Sequence, residues 1–144
     1  PFENIEELEA VAEKALELMV KRAGNREAFG KTILKLGKNL EVISRARIEI
    51  DAMRLMVLQA AKAMDVMGNK EARVYVSAIK AMVPEKVCVI IDQAMQMHGA
   101  TGISHWSPLP DMYHHQRHLR FADGPDEVHH MVVGRAEAQK HGAW

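Results

Sequence analysis

One stretch constrains the fold more than any other. Between about Thr32 and Met67, Leu36, Ile43, Ile50, Val57 and Met64 recur at seven-residue intervals, and Ala46, Met53, Ala60 and Met67 follow the last four of them by three residues. An apolar repeat split into threes and fours puts one narrow stripe along a helix, because positions i, i+3, i+4 and i+7 share a face. At about 1.5 Å per residue the segment predicts a rod roughly 50 Å long. Arg45, Arg47, Glu49, Asp51 and Arg54 decorate its other faces. Such a rod must bury its stripe against other helices. The methionines in it read as core packing in preference to a ligand site.

The flanking segments supply those partners. A helix over about Ile5–Ala23 carries Leu8, Val11, Ala15, Leu18 and Met19 at helical spacing, with Glu6, Glu7, Glu9 and Glu13 towards its start and Lys21-Arg22 at its end. That polarity complements the helix dipole. Asn4 is the expected cap, Gly24-Asn25 the expected stop, and Arg26–Gly30 a connector. A third helix is expected over about Lys70–Met97, kinked at Pro84 because proline lacks the amide donor. Gly99, Gly102, Pro108 and Pro110 mark a loop, and a short helix follows over Met112–Leu119. Pro125 is expected at the first position of a last helix, which ends near Lys140. The fold class is therefore all-α, an antiparallel up-down bundle of about four long helices.

The chain of 144 residues fits one globular domain. Its 19 basic and 19 acidic residues cancel, which argues against a nucleic-acid partner. No apolar run approaches the ~18 residues of a membrane span. The lone Cys88 excludes an internal disulfide framework and a cysteine-cluster metal site, and its apolar neighbours Val87, Val89 and Ile90 predict a buried, inert thiol. A start at Pro1 in place of Met is expected for a piece of a longer polypeptide.

Chemistry concentrates in the C-terminal part, where all 8 histidines lie from His98 onward. His114 and His118 are one helical turn apart, and Glu127 and His130 have a Glu-x-x-His spacing. No second Glu-x-x-His exists, so a di-iron bundle is disfavoured. In Gln96-Met97-His98-Gly99-Ala100-Thr101-Gly102, the small residues would let a ligand approach the backbone, or would simply stop a helix. In Arg120–His129, Asp123 sits at a glycine-flanked break before a helix, where it would be presented into a cleft or would serve as a cap.

Arg26…Phe29-Gly30-Lys31, the long helix, Gln96–Gly102 and Ala122-Asp123-Gly124-Pro125 occur in one order and spacing. Together they resemble the C-terminal helical domain of the acyl-CoA dehydrogenases, over roughly residues 24–140. In that family the three motifs are Arg-x-x-Phe-Gly-Lys, Gln-x-x-Gly-Gly-x-Gly and a catalytic Tyr-Glu-Gly-Thr turn. The Ala-Asp-Gly-Pro-Asp-Glu-Val-His version is similar to the branch containing family members ten and eleven and their bacterial relatives.

The resemblance implies oxidation of acyl-CoA thioesters, with an α-proton removed while a β-hydride passes to FAD and electrons leave to an electron-transfer flavoprotein. It makes Asp123 the general base, and Gly124 the residue that lets the thioester sit close. It puts Arg26 on the pyrophosphate of an FAD bound by a neighbouring subunit. Gln96, Gly99 and Ala100 would line the adenosine end, with Pro125 and Glu127 near it. A homo-oligomer, dimer or tetramer, is implied. So is a location that is cytoplasmic if bacterial and mitochondrial or peroxisomal if eukaryotic. Asp123 replaces the family's glutamate, Ala100 a glycine and Pro125 a threonine. Ala28 stands where a hydroxyl residue is common, and Leu36-Gly37 where many members carry a flavin-contacting glutamine. The family also holds its flavin with an N-terminal helical and a middle β-domain, so this chain alone is expected to be inactive. The alternative is a stand-alone or engineered bundle acting as an oligomerisation scaffold.

Overall fold

A computed structural model describes residues 2–144, with side chains described from Ile5 onward. The helices are α1 (Phe2–Asn25), α2 (Asn39–Met67), α3 (Asn69–His98), α4 (Leu109–Arg117) and α5 (Asp126–Lys140), with a two-residue hairpin of β1 (Glu27–Ala28) and β2 (Lys31–Thr32) after α1. The fold is all-α, as the apolar spacing predicts.

α3 is the axis of the bundle and packs against every other α-helix. Its direction relative to each follows from side-chain contacts. Arg22 at the end of α1 donates to the His98 carbonyl at the end of α3, so these two run parallel. Glu13 of α1 meets Arg47 and Arg54 of α2, and the single residue Gly68 links α2 to α3, so α2 runs the other way. Lys80 reaches Leu119 and Ser77 reaches His129, so the α4–α5 segment returns down α3. The fourth leg of the bundle is therefore interrupted: it breaks between Arg117 and Asp126, where Asp123 lies.

The core holds Leu8 and Met19 of α1, Ile50, Met53 and Val57 of α2, Ile79, Val83, Val87 and Ile91 of α3, and Leu109 of α4. Pro84 falls inside α3 and is buried. At ~25 cal/mol per Å² of apolar surface, each large side chain fully buried there contributes about 1.5–3 kcal/mol before the entropy cost of ordering it.

Four expectations are corrected. α1 begins at Phe2, so Asn4 lies within the helix and does not cap it. The long helix begins at Asn39 and not near Thr32; Ile33–Lys35 form a 3-10 turn, and Leu36 lies outside the helix. The 29 residues of α2 give a rod of about 43 Å. The Arg26–Gly30 connector contributes to a hairpin, in which Glu27 pairs Thr32 and Ala28 pairs Lys31 around Phe29 and Gly30 at φ 52 and 79. Pro125 precedes α5 with extended backbone and is not its first helical residue.

The seam is buried at Ala46, Ile50, Met53, Val57 and Ala60 but turns outward at Met67. An α-helix gains about 20° per heptad on a strict seven-residue repeat, so a straight rod carries the stripe off the core. α2 also has a second apolar face: Ile48, Leu55, Leu58 and Val66 are 59–73% exposed.

Candidate active site

The break in the fourth leg borders a cavity. A 3-10 turn over His118–Arg120 ends at Phe121, and both the Phe121 and Ala122 amides donate to the His118 carbonyl. The chain then passes through Asp123 at φ 57 and Gly124 at φ 101 before entering α5. A left-handed non-glycine residue costs roughly 1–2 kcal/mol, so this turn is over-determined by its surroundings. At Gly124 the backbone angle favours glycine, and a Cβ there would press on His129 Nε2 at 3.0 Å.

Asp123 lines a cavity of about 350 Å³ whose walls are Ile5 and Leu8 of α1, Val76, Lys80 and Pro84 of α3, Leu119 and His129. The walls are mostly apolar and the polar groups few. Lys80 Nζ donates to the carbonyls of Leu119 at 2.6 Å and Gly124 at 3.3 Å. Burial lowers the pKa of the Lys80 ammonium, and Asp126 and Asp123 pull it the other way. The Asp123 carbonyl can only accept, so His129 Nε2 donates to it at 3.1 Å, and His129 Nδ1 receives the Ser77 hydroxyl at 3.3 Å. Arg120 Nε bonds Asp126 Oδ2 at 2.7 Å across the same break. Sequence reasoning missed Ser77, Lys80, Asp126 and His129.

A second group of expected residues lies elsewhere. Gln96, Gly99 and Ala100 line one recess with Asp92, Met95 and Ile103, and Gln96 lines another with Ala28, Phe29, Asn39 and Gln93. Arg26 is exposed at the hairpin next to them, its amide bonded to the Arg22 carbonyl. Lys80 and Gln96 are 16 residues apart on α3, or about 24 Å along its axis. The Asp123 turn and the Gln96 surface are thus two sites on one chain. Pro125 and Glu127, both exposed, belong to the Asp123 turn and not to the Gln96 recess.

Phe29, 95% exposed, and Ile103, 72% exposed, each line one of the two recesses that Gln96 shares. Gly102, expected to make room for a ligand, is instead buried against the chain itself: a Cβ there would lie 2.3 Å from the Met95 carbonyl oxygen. No group of three metal-ligating side chains occurs among the described residues, so neither His114/His118 nor Glu127/His130 is completed. Burial pushes the Cys88 thiol up, against Arg117 and Arg120, as an inert thiol requires.

The family model described as acyl-CoA dehydrogenase, C-terminal domain, matches residues 8–138. The chain belongs to the acyl-CoA dehydrogenase family. Among its relatives, the Mycobacterium tuberculosis protein FadE2, named a probable acyl-CoA dehydrogenase, is 46% identical over 129 residues, which is 90% of this chain and 32% of that protein. Mouse acyl-CoA dehydrogenase family member 10 is 47% identical over 126 residues, 88% of this chain and 12% of that protein. A solved Mycobacterium abscessus structure assigned to the acyl-CoA dehydrogenases superposes with a TM-score of 0.93 at 44% identity, covering 96% of this chain and 34% of that one. The chain thus spans about a third or less of the length of these acyl-CoA dehydrogenases. Among the described residues, no helix is long and apolar enough to cross a membrane.

Proposed function

We propose that this chain is the C-terminal domain of an FAD-dependent acyl-CoA dehydrogenase that performs α,β-dehydrogenation of acyl-CoA thioesters. The observation that carries the reading is an acidic residue, Asp123, held at a left-handed turn and lining a mostly apolar cavity. A base presented from a fixed turn is what removal of a weakly acidic proton next to a thioester carbonyl needs. Asp123 takes the α-proton, and Gly124 is the residue proposed to let the thioester sit close to that base. Bound FAD supplies the acceptor for the β-hydride, and an electron-transfer flavoprotein is the proposed onward acceptor.

The chain's contribution to FAD is a contact surface at the other end of α3. Arg26 supplies a charge-assisted contact to the pyrophosphate, and Gln96, Gly99 and Ala100 supply the edge for the adenosine. By the family resemblance, the surface around Gln96, about 24 Å along α3 from the level of Lys80, serves the cofactor of a neighbouring subunit. The outward apolar face of α2 is the proposed subunit contact, since monomers rarely leave such a stripe in water. Domains outside this chain complete the pocket, so the chain alone is proposed to be inactive.

The test uses the full-length polypeptide that carries these residues. Wild type is expected to purify with about one FAD per subunit, and Arg26→Ala to lose most of it on gel filtration. Normal flavin retention in Arg26→Ala would remove the cofactor assignment. The exposed α2 face also suits a scaffold without catalysis. An oligomer that ignores FAD and acyl-CoA at every concentration would favour that reading.

A further inference from the structure

We infer that Lys80 and His129 are positioning residues that hold Asp123 in its reacting geometry, an inference that rests on Asp123 being the base. The turn is locked from outside itself. Its own amides stabilise only the first half, through the bonds from Phe121 and Ala122 to the His118 carbonyl. Asp123 then adopts φ 57, a conformation that aspartate visits more readily than most L residues but that needs partners to stay fixed.

The carbonyls of Leu119, Asp123 and Gly124 all find partners on other elements. One ammonium, Lys80, donates to the first and third, while His129 Nε2 donates to the second. Ser77 is 4% exposed and bonds the far nitrogen of that ring, fixing its orientation. Ser77 and Lys80 are three residues apart and share one face of α3, so a single rigid helix sets both locks. The His129 ring also fills the space beside Gly124. Without Lys80 the two carbonyls it gathers lose their partner in a mostly apolar wall. The turn would then relax towards right-handed backbone and swing the Asp123 carboxylate away from the cavity.

A small misplacement of a reacting group costs far more in rate than in binding, on the order of 100-fold for about 1 Å. In the full-length enzyme, Lys80→Met and His129→Phe are expected to lower kcat about 10- to 100-fold, with KM and flavin content within about threefold of wild type. Lys80→Arg, which keeps the charge and donors, is expected to recover part of the loss. Backbone carbon shifts of residue 123 in this chain should move from left-handed towards right-handed values in Lys80→Met. If kcat stays within twofold in both variants while Asp123→Asn loses activity, the positioning role is overturned and the base assignment stands. If Asp123→Asn is itself active, both fall. If kcat, KM, flavin content and thermal midpoint drop together without rescue by Lys80→Arg, the two residues are merely structural. Should either variant fail to fold, Ser77→Ala carries the same test: a few-fold loss of kcat at constant KM supports the lock, and an unchanged kcat overturns it.

Discussion

Gly102→Ala tests the tightest surroundings of any glycine in the chain. A Cβ at this position would lie 2.3 Å from the Met95 carbonyl oxygen and 2.9 Å from the Met95 C and Cα atoms. All three are backbone atoms in the last turn of α3, so none can swing aside as a side-chain tip would. Ordinary contact begins near 3.4 Å, so the Gly99–Ile103 turn must move off α3 by roughly 1 Å. That movement disturbs the buried packing and the hydrogen bonds of the turn, including the Ser104 hydroxyl on the Thr101 carbonyl. Overpacking of this kind costs about 1–3 kcal/mol, and the rigid neighbour puts Gly102→Ala near the top of that range. At ~3 kcal/mol the thermal midpoint of a chain this size drops by about 10 °C. Gly99→Ala is the control: its φ is 62 but nothing lies within 4 Å, so strain alone should cost about 1–2 kcal/mol. Urea unfolding read by circular dichroism gives both values, provided the slope is unchanged. A Gly102→Ala variant within 0.5 kcal/mol of wild type, or less affected than Gly99→Ala, would refute the reasoning.

The remaining predictions concern charge and association. Burial holds the Glu9 carboxyl above its ordinary range, against the pull of Arg54. A raised folded pKa means the carboxylate is penalised in the fold at neutral pH and relieved as pH falls through the folded value. Glu9→Gln should therefore raise the thermal midpoint at pH 7 and leave it unchanged near pH 3; a drop at pH 7 would contradict this. Glu13 is the opposite case, held below its ordinary range by the Arg47 hydrogen bond and then by Arg54. Its contribution is present above the unfolded value of about 4.3 and is lost as pH falls through the folded one. Glu13→Gln should therefore lower the midpoint at pH 7, with the gap closing in acid. Leu55→Lys, at a position 68% exposed, should lower the mass of the full-length assembly by light scattering; an unchanged mass would remove the α2 face from the interface.

The architecture was legible where one residue type dominates a local pattern. The Ile50–Val57 seam, the Gly68 junction and the breaks at Gly99 and Gly124 are all written in neighbouring residues. The two-residue hairpin was not, because Phe29-Gly30 lacks the usual Asn-Gly or Asp-Gly signature of a turn with two positive φ angles. The second face of α2 was overlooked although Ile48 and Leu55 are seven residues apart and Leu58 follows three later, because the charges interleaved with them read as a solvated face. The identity of the Asp123 turn could be read from its glycine and acid, but its supports could not. Lys80 and Ser77 lie 39 and 52 residues from their partners Leu119 and His129, and no local spacing encodes such a contact. Gly102 shows the converse error: a small residue in a ligand-like loop is small because its own helix is in the way.

The central claim is that Asp123 removes the α-proton. Rapid mixing of the FAD-loaded full-length Asp123→Asn variant with an acyl-CoA, followed by flavin absorbance, reads that step alone. Asparagine keeps the size and tolerates the left-handed turn, so the cavity survives while the base is removed. The account predicts flavin reduction slower by about 10²–10⁴-fold with FAD still bound. Reduction within a few-fold of wild type would contradict it.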